Sequence, residues 1–391
     1  MSIPLYAELL ANIQVIRATI ALDESIDPSL LTVKTNQLWL EDTLILDLAQ
    51  HGVRVSPSSL SVQPTDSMDN ARSLYEIKLK LLSSVSTLED KQWWTAKSLL
   101  SQHWQHIKCR HCDQDLVDNK SFQCKDLPSE HWYELVECWI CHEAKPEEHR
   151  ARMQPILAKT GVLLVGAFYF LVHSADLHSV ALDQEIANQV DWNRGTMTKW
   201  ISVNCENCGK VIGEGQYERK QDGSLALMAA KLFKYCVTLQ PTPDELPGFM
   251  DFVVGDLIEA AKVHATHRFI IQGKKSHRIH ALIWLFNWDT TTVYNDGFMD
   301  NTDETSEKIT CQRGMKVLYA DVKDNSESVK RWAHDKTTDH LIYPDVYCEQ
   351  LVKFLQASTE HLPPTMRTLD HPAMPMTKNF SVGFLPRSLR Q

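Results

Sequence analysis

The sequence predicts an α+β protein dominated by β-structure, and three observations carry that prediction. Short apolar or alternating runs recur between clusters of Asp, Ser and Pro, the pattern of strands whose alternate side chains face a core. Only a few stretches have the spacing of an amphipathic helix. Two Cys-x-x-Cys pairs, Cys109/Cys112 and Cys205/Cys208, each lead through a turn to an apolar pair, Leu116-Val117 and Val211-Ile212, as zinc knuckles do.

The chain has 391 residues, 43% of them hydrophobic, which is enough for substantial cores and more than one domain. Three regions are expected: an N-terminal antiparallel sheet domain (1–90), a middle clasped by the zinc knuckles (91–240) and a C-terminal α+β part (241–391). In the first, residues 5–22, 30–33, 37–40, 53–55 and 74–82 read as strands, punctuated by clusters such as Ser56-Pro57-Ser58-Ser59. Residues 90–100 read as a short helix leading to the strand that carries the first cysteine pair.

Beyond it, Pro128-Ser129-Glu130 opens a segment with Trp132, Leu135, Val136 and Trp139 at helical spacing. Residues 161–172 read as one buried strand, and 200–203 and 211–212 flank the second cysteine pair like the strands of a hairpin. The apolar stretch 225–239 is open between helix and strand, its second half leaning to strand. After a Pro-containing linker at 241–247, residues 249–264 form an amphipathic helix with Phe249, Phe252, Val253, Leu257 and Ala260 on one face. That face packs in a core or lies in a partner's groove. Strands follow at 269–272, 279–287 and 316–322, with an acidic loop at 295–308. A last helix starts near Pro344, a residue favoured at the first helical position, and runs to 355.

A formal net charge of −10 argues against direct nucleic-acid binding. The longest apolar run, 161–172, is too short to cross a bilayer as a helix, and the first ten residues lack a secretory signal. A cytoplasmic or nuclear protein is expected, without a membrane. In such a reducing setting, cysteines at ligand spacing are metal ligands rather than disulfides. Cys109, Cys112, Cys205 and Cys208 are therefore assigned to one structural Zn2+, because a two-residue spacer lets both thiolates of a knuckle face one tetrahedral ion. A redox dithiol needs a strand-to-helix junction, which neither pair offers. A third cluster, Cys138-x-x-Cys141-His142, leaves two alternatives: ligands in place of Cys205 and Cys208, or core residues. The neighbouring His264, His267, His277 and His280 lack the carboxylate spacing of a second metal site, and Gly213-x-Gly215 is too short for a phosphate loop.

In order along the chain, Cys109-x-x-Cys112, Leu127-Pro128-Ser129-Glu130, Trp139-x-Cys141-His142, Gly166-Ala167-Phe168-Tyr169-Phe170, Cys205-x-x-Cys208, Phe269-Ile270-Ile271-Gln272-Gly273 and Lys316-Val317-Leu318-Tyr319 resemble the HECT-like ubiquitin-conjugating-enzyme-binding family. The resemblance implies a ubiquitin ligase of unusual type that recruits a ubiquitin-conjugating enzyme, with cyclin B as a further partner. It also implies a link to the zinc endonuclease of pre-mRNA 3′-end processing. The face Phe249, Phe252, Val253 and Leu257 then becomes a candidate docking surface for the conjugating enzyme. Cys348 becomes the candidate ubiquitin acceptor, although Tyr343-Pro344-Asp345-Val346-Tyr347-Cys348 lacks the Leu and Thr of the HECT pattern. Sharing a helix face with Leu351 and Leu355, Cys348 also fits a buried thiol.

The alternative to a ligase is a binding protein that restrains the endonuclease. Four thiolates complete a tetrahedral site, so Cys141 and His142 are left without a metal of their own; on a loop they reach into a partner's metal site, with Trp139 as anchor.

Overall fold

The computed structural model describes residues 3–69, 72–82, 92–119, 121–128, 158–194, 198–299, 308–322, 325–369 and 379–388. The fold is α+β and rich in strands, and it divides into two compact units: residues 1–90 with 253–391, and residues 91–252.

In the first unit a nine-stranded sheet runs in the spatial order Thr338–Tyr343, Arg268–Gly273, Ile279–Tyr294, Leu5–Leu10, Val15–Leu22, Arg72–Lys80, Ser61–Asp69. Thr310–Asp321 pairs with Ile279–Tyr294 off this path and in turn with Ser381–Pro386. Strands from the two ends of the chain therefore share one sheet: Leu5–Leu10 is antiparallel to Ile279–Tyr294, with Tyr6 opposite Tyr294. Alternation sorts side chains between two cores. Leu5, Ala7, Leu9, Ile16, Ala18 and Ile20 belong to one, together with side chains from the small sheet of Leu31–Lys34, Gln37–Leu40 and Thr43–Asp47. Tyr6 and Ala21 belong to the other, with Trp332, Leu362 and Phe380.

Two strands of this unit were not expected from the sequence. Thr43–Asp47 is short and half exposed, and Ser61–Asp69 is a polar edge strand that tolerates Pro64. Residues 53–55, expected as a strand, contribute only the isolated bridge Val55–Leu81. The last helix, Asp345–Glu360, starts after Pro344 as expected and runs past residue 355. The helix Ser326–His334 was not expected; it buries Trp332 and is otherwise largely polar.

The second unit holds a seven-stranded sheet, in the order Gln123–Asp126, Val162–Val165, Tyr169–His173, Leu225–Phe233, Val211–Arg219, Thr198–Cys205, Val180–Leu182. A three-stranded sheet of Val237–Gln240, His106–Cys109 and Asp115–Asp118 lies in the same unit. The short helix Ala96–Gln102, capped by the Thr95 hydroxyl, precedes the strand that carries Cys109, as expected.

Residues 161–172 are a hairpin and not one strand. Val162–Val165 and Tyr169–His173 pair antiparallel, and Gly166 N–H donates to Tyr169 O at 2.9 Å to close the turn between them. A continuous apolar run shows neither its period nor its turns when both faces are buried. In 225–239, the strand Leu225–Phe233 ends at the 3-10 turn Lys234–Cys236, and the chain then enters the other sheet as Val237–Gln240. The glycine pair at 213 and 215 also has a packing reason: a Cβ at Gly213 would stand 1.8 Å from Lys231 O, so only glycine lets the two strands pair at that point. Among the described residues no helix is long and apolar enough to cross a membrane.

Candidate metal centre

The two Cys-x-x-Cys pairs are built alike. In the first, Cys109 ends the strand His106–Cys109, which pairs with Asp115–Asp118. In the second, Cys205 ends Thr198–Cys205, which pairs with Val211–Arg219. Cys109 N–H donates to Gln114 O at 2.8 Å, and Cys205 N–H to Lys210 O at 2.8 Å. Four residues after each leading cysteine, Asp113 N–H returns to Cys109 O and Gly209 N–H to Cys205 O, at 2.9 and 2.8 Å. Both of those residues are left-handed, with φ of 55° at Asp113 and 68° at Gly209, a conformation that Asp tolerates and Gly adopts freely. Inside each turn two amides point at the first sulfur: those of His111 and Cys112 at Cys109, and those of Asn207 and Cys208 at Cys205.

The two turns face each other across the unit. Cys109 Sγ lies 3.8 Å from Cys208 Sγ and Cys112 Sγ lies 3.6 Å from Cys205 Sγ, and all four sulfurs fall within 4.8 Å of one another. A tetrahedral ion with metal–sulfur bonds of about 2.3 Å requires sulfurs about 3.8 Å apart. The sulfurs thus fit a metal ion, and the cysteines are free thiols. Cys109 and Cys205 are buried within the core of the unit, whereas Cys112 and Cys208 are half-buried at its margin. Burial pushes the Cys109 and Cys205 thiols up. Cys112 is also raised by burial, but the Gln114 amide, the Asn207 side chain and the facing thiols outweigh that and bring it down to about 7. A metal would replace protons on the buried pair and supply the positive charge that burial otherwise denies their thiolates.

Neighbouring groups hold the turns. Gln114 Nε2 donates to Ser179 Oγ at 3.1 Å and Glu206 N–H to Ser179 O at 2.9 Å, so Ser179 ties one turn to the other. Arg110, inside the first pair, donates to the carbonyls of Tyr235 and Pro247 and anchors the segment expected as a linker. Sequence reading passed over Ser179 and Arg110, because neither belongs to a recognisable pattern.

The other expected site residues fare differently. Trp139, Cys141 and His142, with Cys138, lie outside the described residues. The helix Phe249–His264 forms as expected, but Phe249, Phe252, Val253 and Leu257 are each no more than 5% exposed. The Phe249 and Phe252 rings pack 5.0 and 5.6 Å from Tyr235. This face is therefore core, and the docking role expected of it gives way to packing. Phe249→Asp forces a carboxylate among those rings. It should cost at least about 3 kcal/mol, read as an insoluble product or a lowered urea midpoint.

Cys348 is fully buried beside Leu351 and Leu355, with its thiol 3.6 Å from both Gln272 O and Tyr343 O. Burial, and then the Asp345 charge, push that thiol up to about 12, so it is protonated at neutral pH.

The model of the HECT-like Ubiquitin-conjugating enzyme (E2)-binding family matches residues 8–372. A protein of Mus musculus named as an E3 ubiquitin-protein ligase is 24% identical over 391 residues, covering 93% of this chain and 90% of that protein. Its namesake in Rattus norvegicus is 25% identical over 336 residues, covering 82% and 81%. An uncharacterized protein of Saccharomyces cerevisiae is 24% identical over 295 residues, covering 73% and 72%. No solved structure gives a significant match. The family match spans both compact units and includes all four clustered cysteines, and the chain belongs to the HECT-like ubiquitin-conjugating-enzyme (E2)-binding family.

Proposed function

We propose that this protein recruits a ubiquitin-conjugating enzyme and promotes transfer of ubiquitin directly from that enzyme's cysteine to an acceptor amine. The family match along residues 8–372 supports recruitment, and similarity to proteins named as ubiquitin ligases supports transfer. The observation that carries the direct route is Cys348, a buried and protonated thiol and so a poor nucleophile for a thioester relay. In this reading Zn2+ fills the four-cysteine site. Four thiolates complete its coordination and leave no position for water, so the ion braces the second unit and takes no part in chemistry.

A discharge assay tests the reading. The conjugating enzyme, charged with ubiquitin, is mixed with this protein and free lysine, and the thioester is followed on non-reducing gels. Faster discharge is expected without a thiol-sensitive ubiquitin adduct on this chain, and Cys348→Ser should retain at least half of the wild-type rate. An adduct that disappears in Cys348→Ser overturns the direct route. A discharge rate unaffected by this protein overturns recruitment.

A further inference from the structure

On the nine-stranded sheet of the first unit, part of the face that carries Tyr6 is left open as a cavity of about 370 Å³. Adjacent strands set Tyr6 opposite Thr19, Glu8 opposite Arg17 and Thr19 opposite Glu76, and all five residues line it. Leu10, Phe286 and Met366 supply apolar walls. That size, with apolar walls around a few convergent polar groups, is typical of a binding pocket. Beside it, the pairing of Ile279–Tyr294 with Thr310–Asp321 breaks register twice, between 285 and 287 and between 287 and 290, which takes Phe286 and Trp288 out of the ladder. The two rings are left 52% and 45% exposed. Bulges re-aim side chains, and large aromatics next to a cavity are the usual anchors of a protein interface.

The cavity is charged but balanced. Glu8, 5% exposed, accepts through Oε1 from the Tyr6 hydroxyl at 2.6 Å and from Lys316 Nζ at 2.6 Å. Burial, and then the Glu8 charge, push the Tyr6 hydroxyl well above its usual range, so it stays a donor. Glu8 Oε2 accepts no hydrogen bond among the described residues and is left for an incoming donor. Glu76 Oε1 lies 3.4 Å from Lys78 Nζ and 3.8 Å from Arg17 Nε, so it too is compensated. These facts select the occupant. A lysine or arginine side chain would set a second cation beside Lys316, and a carboxylate would be set against Glu8. A purely aliphatic side chain would shut water away from Oε2 without replacing its hydrogen bond. A Tyr or Trp side chain is uncharged, offers an apolar body to Leu10, Phe286 and Met366, and carries an O–H or N–H for Oε2.

We propose that this cavity docks a Tyr or Trp side chain of the ubiquitin-conjugating enzyme, with Phe286 and Trp288 packing around its point of entry. The choice of partner rests on the recruitment proposed above. With Phe249, Phe252, Val253 and Leu257 buried, the docking surface has to lie elsewhere, and this pocket combines exposed aromatic rings with an acceptor waiting inside.

The test is a calorimetric titration of the full-length protein with the conjugating enzyme of the discharge assay. Phe286→Ala trims a half-exposed ring, and Thr365→Trp fills the cavity from an exposed lining residue. Each should weaken binding at least tenfold without lowering the melting temperature. N-acetyltyrosinamide should compete with the enzyme for the wild-type protein, and N-acetyllysinamide should not. Wild-type affinity in both variants overturns the pocket and leaves recruitment standing, whereas a wild-type protein that binds no conjugating enzyme overturns both. Competition by N-acetyllysinamide alone would assign the cavity to a cation and overturn the aromatic occupant. If Thr365→Trp melts early, Phe286→Ala decides.

Discussion

Cys205→Ser is expected to abolish metal binding at the four-cysteine site and to unfold the unit formed by residues 91–252. The side chain is fully buried, opposite Cys112 Sγ at 3.6 Å, and a serine hydroxyl is a poor substitute for a thiolate toward a soft or borderline ion. With Zn2+ as the occupant proposed above, such a site would contribute on the order of 10 kcal/mol to folding, comparable to the whole stability of a domain. Cys109→Ser, Cys112→Ser and Cys208→Ser should act in the same direction. Cys138→Ser should leave metal content unchanged. Metal analysis of the purified variants, with melting curves, checks the set. Metal retained in Cys205→Ser and lost in Cys138→Ser would show that another pair completes the site.

The pH dependence follows from the same thiols. Burial raises Cys109 and Cys205 in the metal-free fold, so they carry protons at neutral pH that the metal must expel. Metal affinity, and the stability linked to it, therefore falls as pH falls.

Lys234→Ala should cost about 3–5 kcal/mol without touching the metal. Lys234 is 1% exposed, and its ammonium donates to Gly166 O at 2.6 Å, Trp93 O at 2.8 Å and Trp94 O at 3.3 Å. The Phe170 ring, centred 5.3 Å away, adds a cation–π contact. Lys234 N–H also donates to Phe168 O at 2.9 Å, so one residue grips the turn at 166–168 twice while the 3-10 turn at Lys234–Cys236 passes the chain from one sheet to the other. Alanine strands three carbonyls and opens a cavity, and each unsatisfied buried acceptor costs about 1–3 kcal/mol. Urea denaturation measures the loss, and metal content should stay at the wild-type value. A loss below about 1 kcal/mol would mean that water or a neighbouring donor replaces the ammonium.

Local patterns made some of the architecture legible. Residues 249–264 show a continuous helical period and form that helix, and Pro344 marks the start of the last one. Around the second cysteine pair, the short apolar runs 200–203 and 211–212 lie in the hairpin Thr198–Cys205 and Val211–Arg219. Where both faces are buried the signal fades, which is why 161–172 hides a turn that depends on the Gly166 amide and the distant Lys234 ammonium. Lys234 itself was visible as a lysine inside an apolar stretch, a pattern that a buried, fully bonded cation leaves.

By itself, the sequence determined the β-rich class, the two cysteine turns and the family, because each rests on residues close together in the chain or on their order along it. Only the tertiary structure decided that Leu5–Leu10 pairs with Ile279–Tyr294, that the four sulfurs converge to metal-binding distance, and that the 249–264 face and Cys348 are core. Those outcomes depend on contacts between residues tens to hundreds of positions apart. An amphipathic face reads the same in sequence whether another part of the chain or a partner covers it, and long-range packing alone settles which.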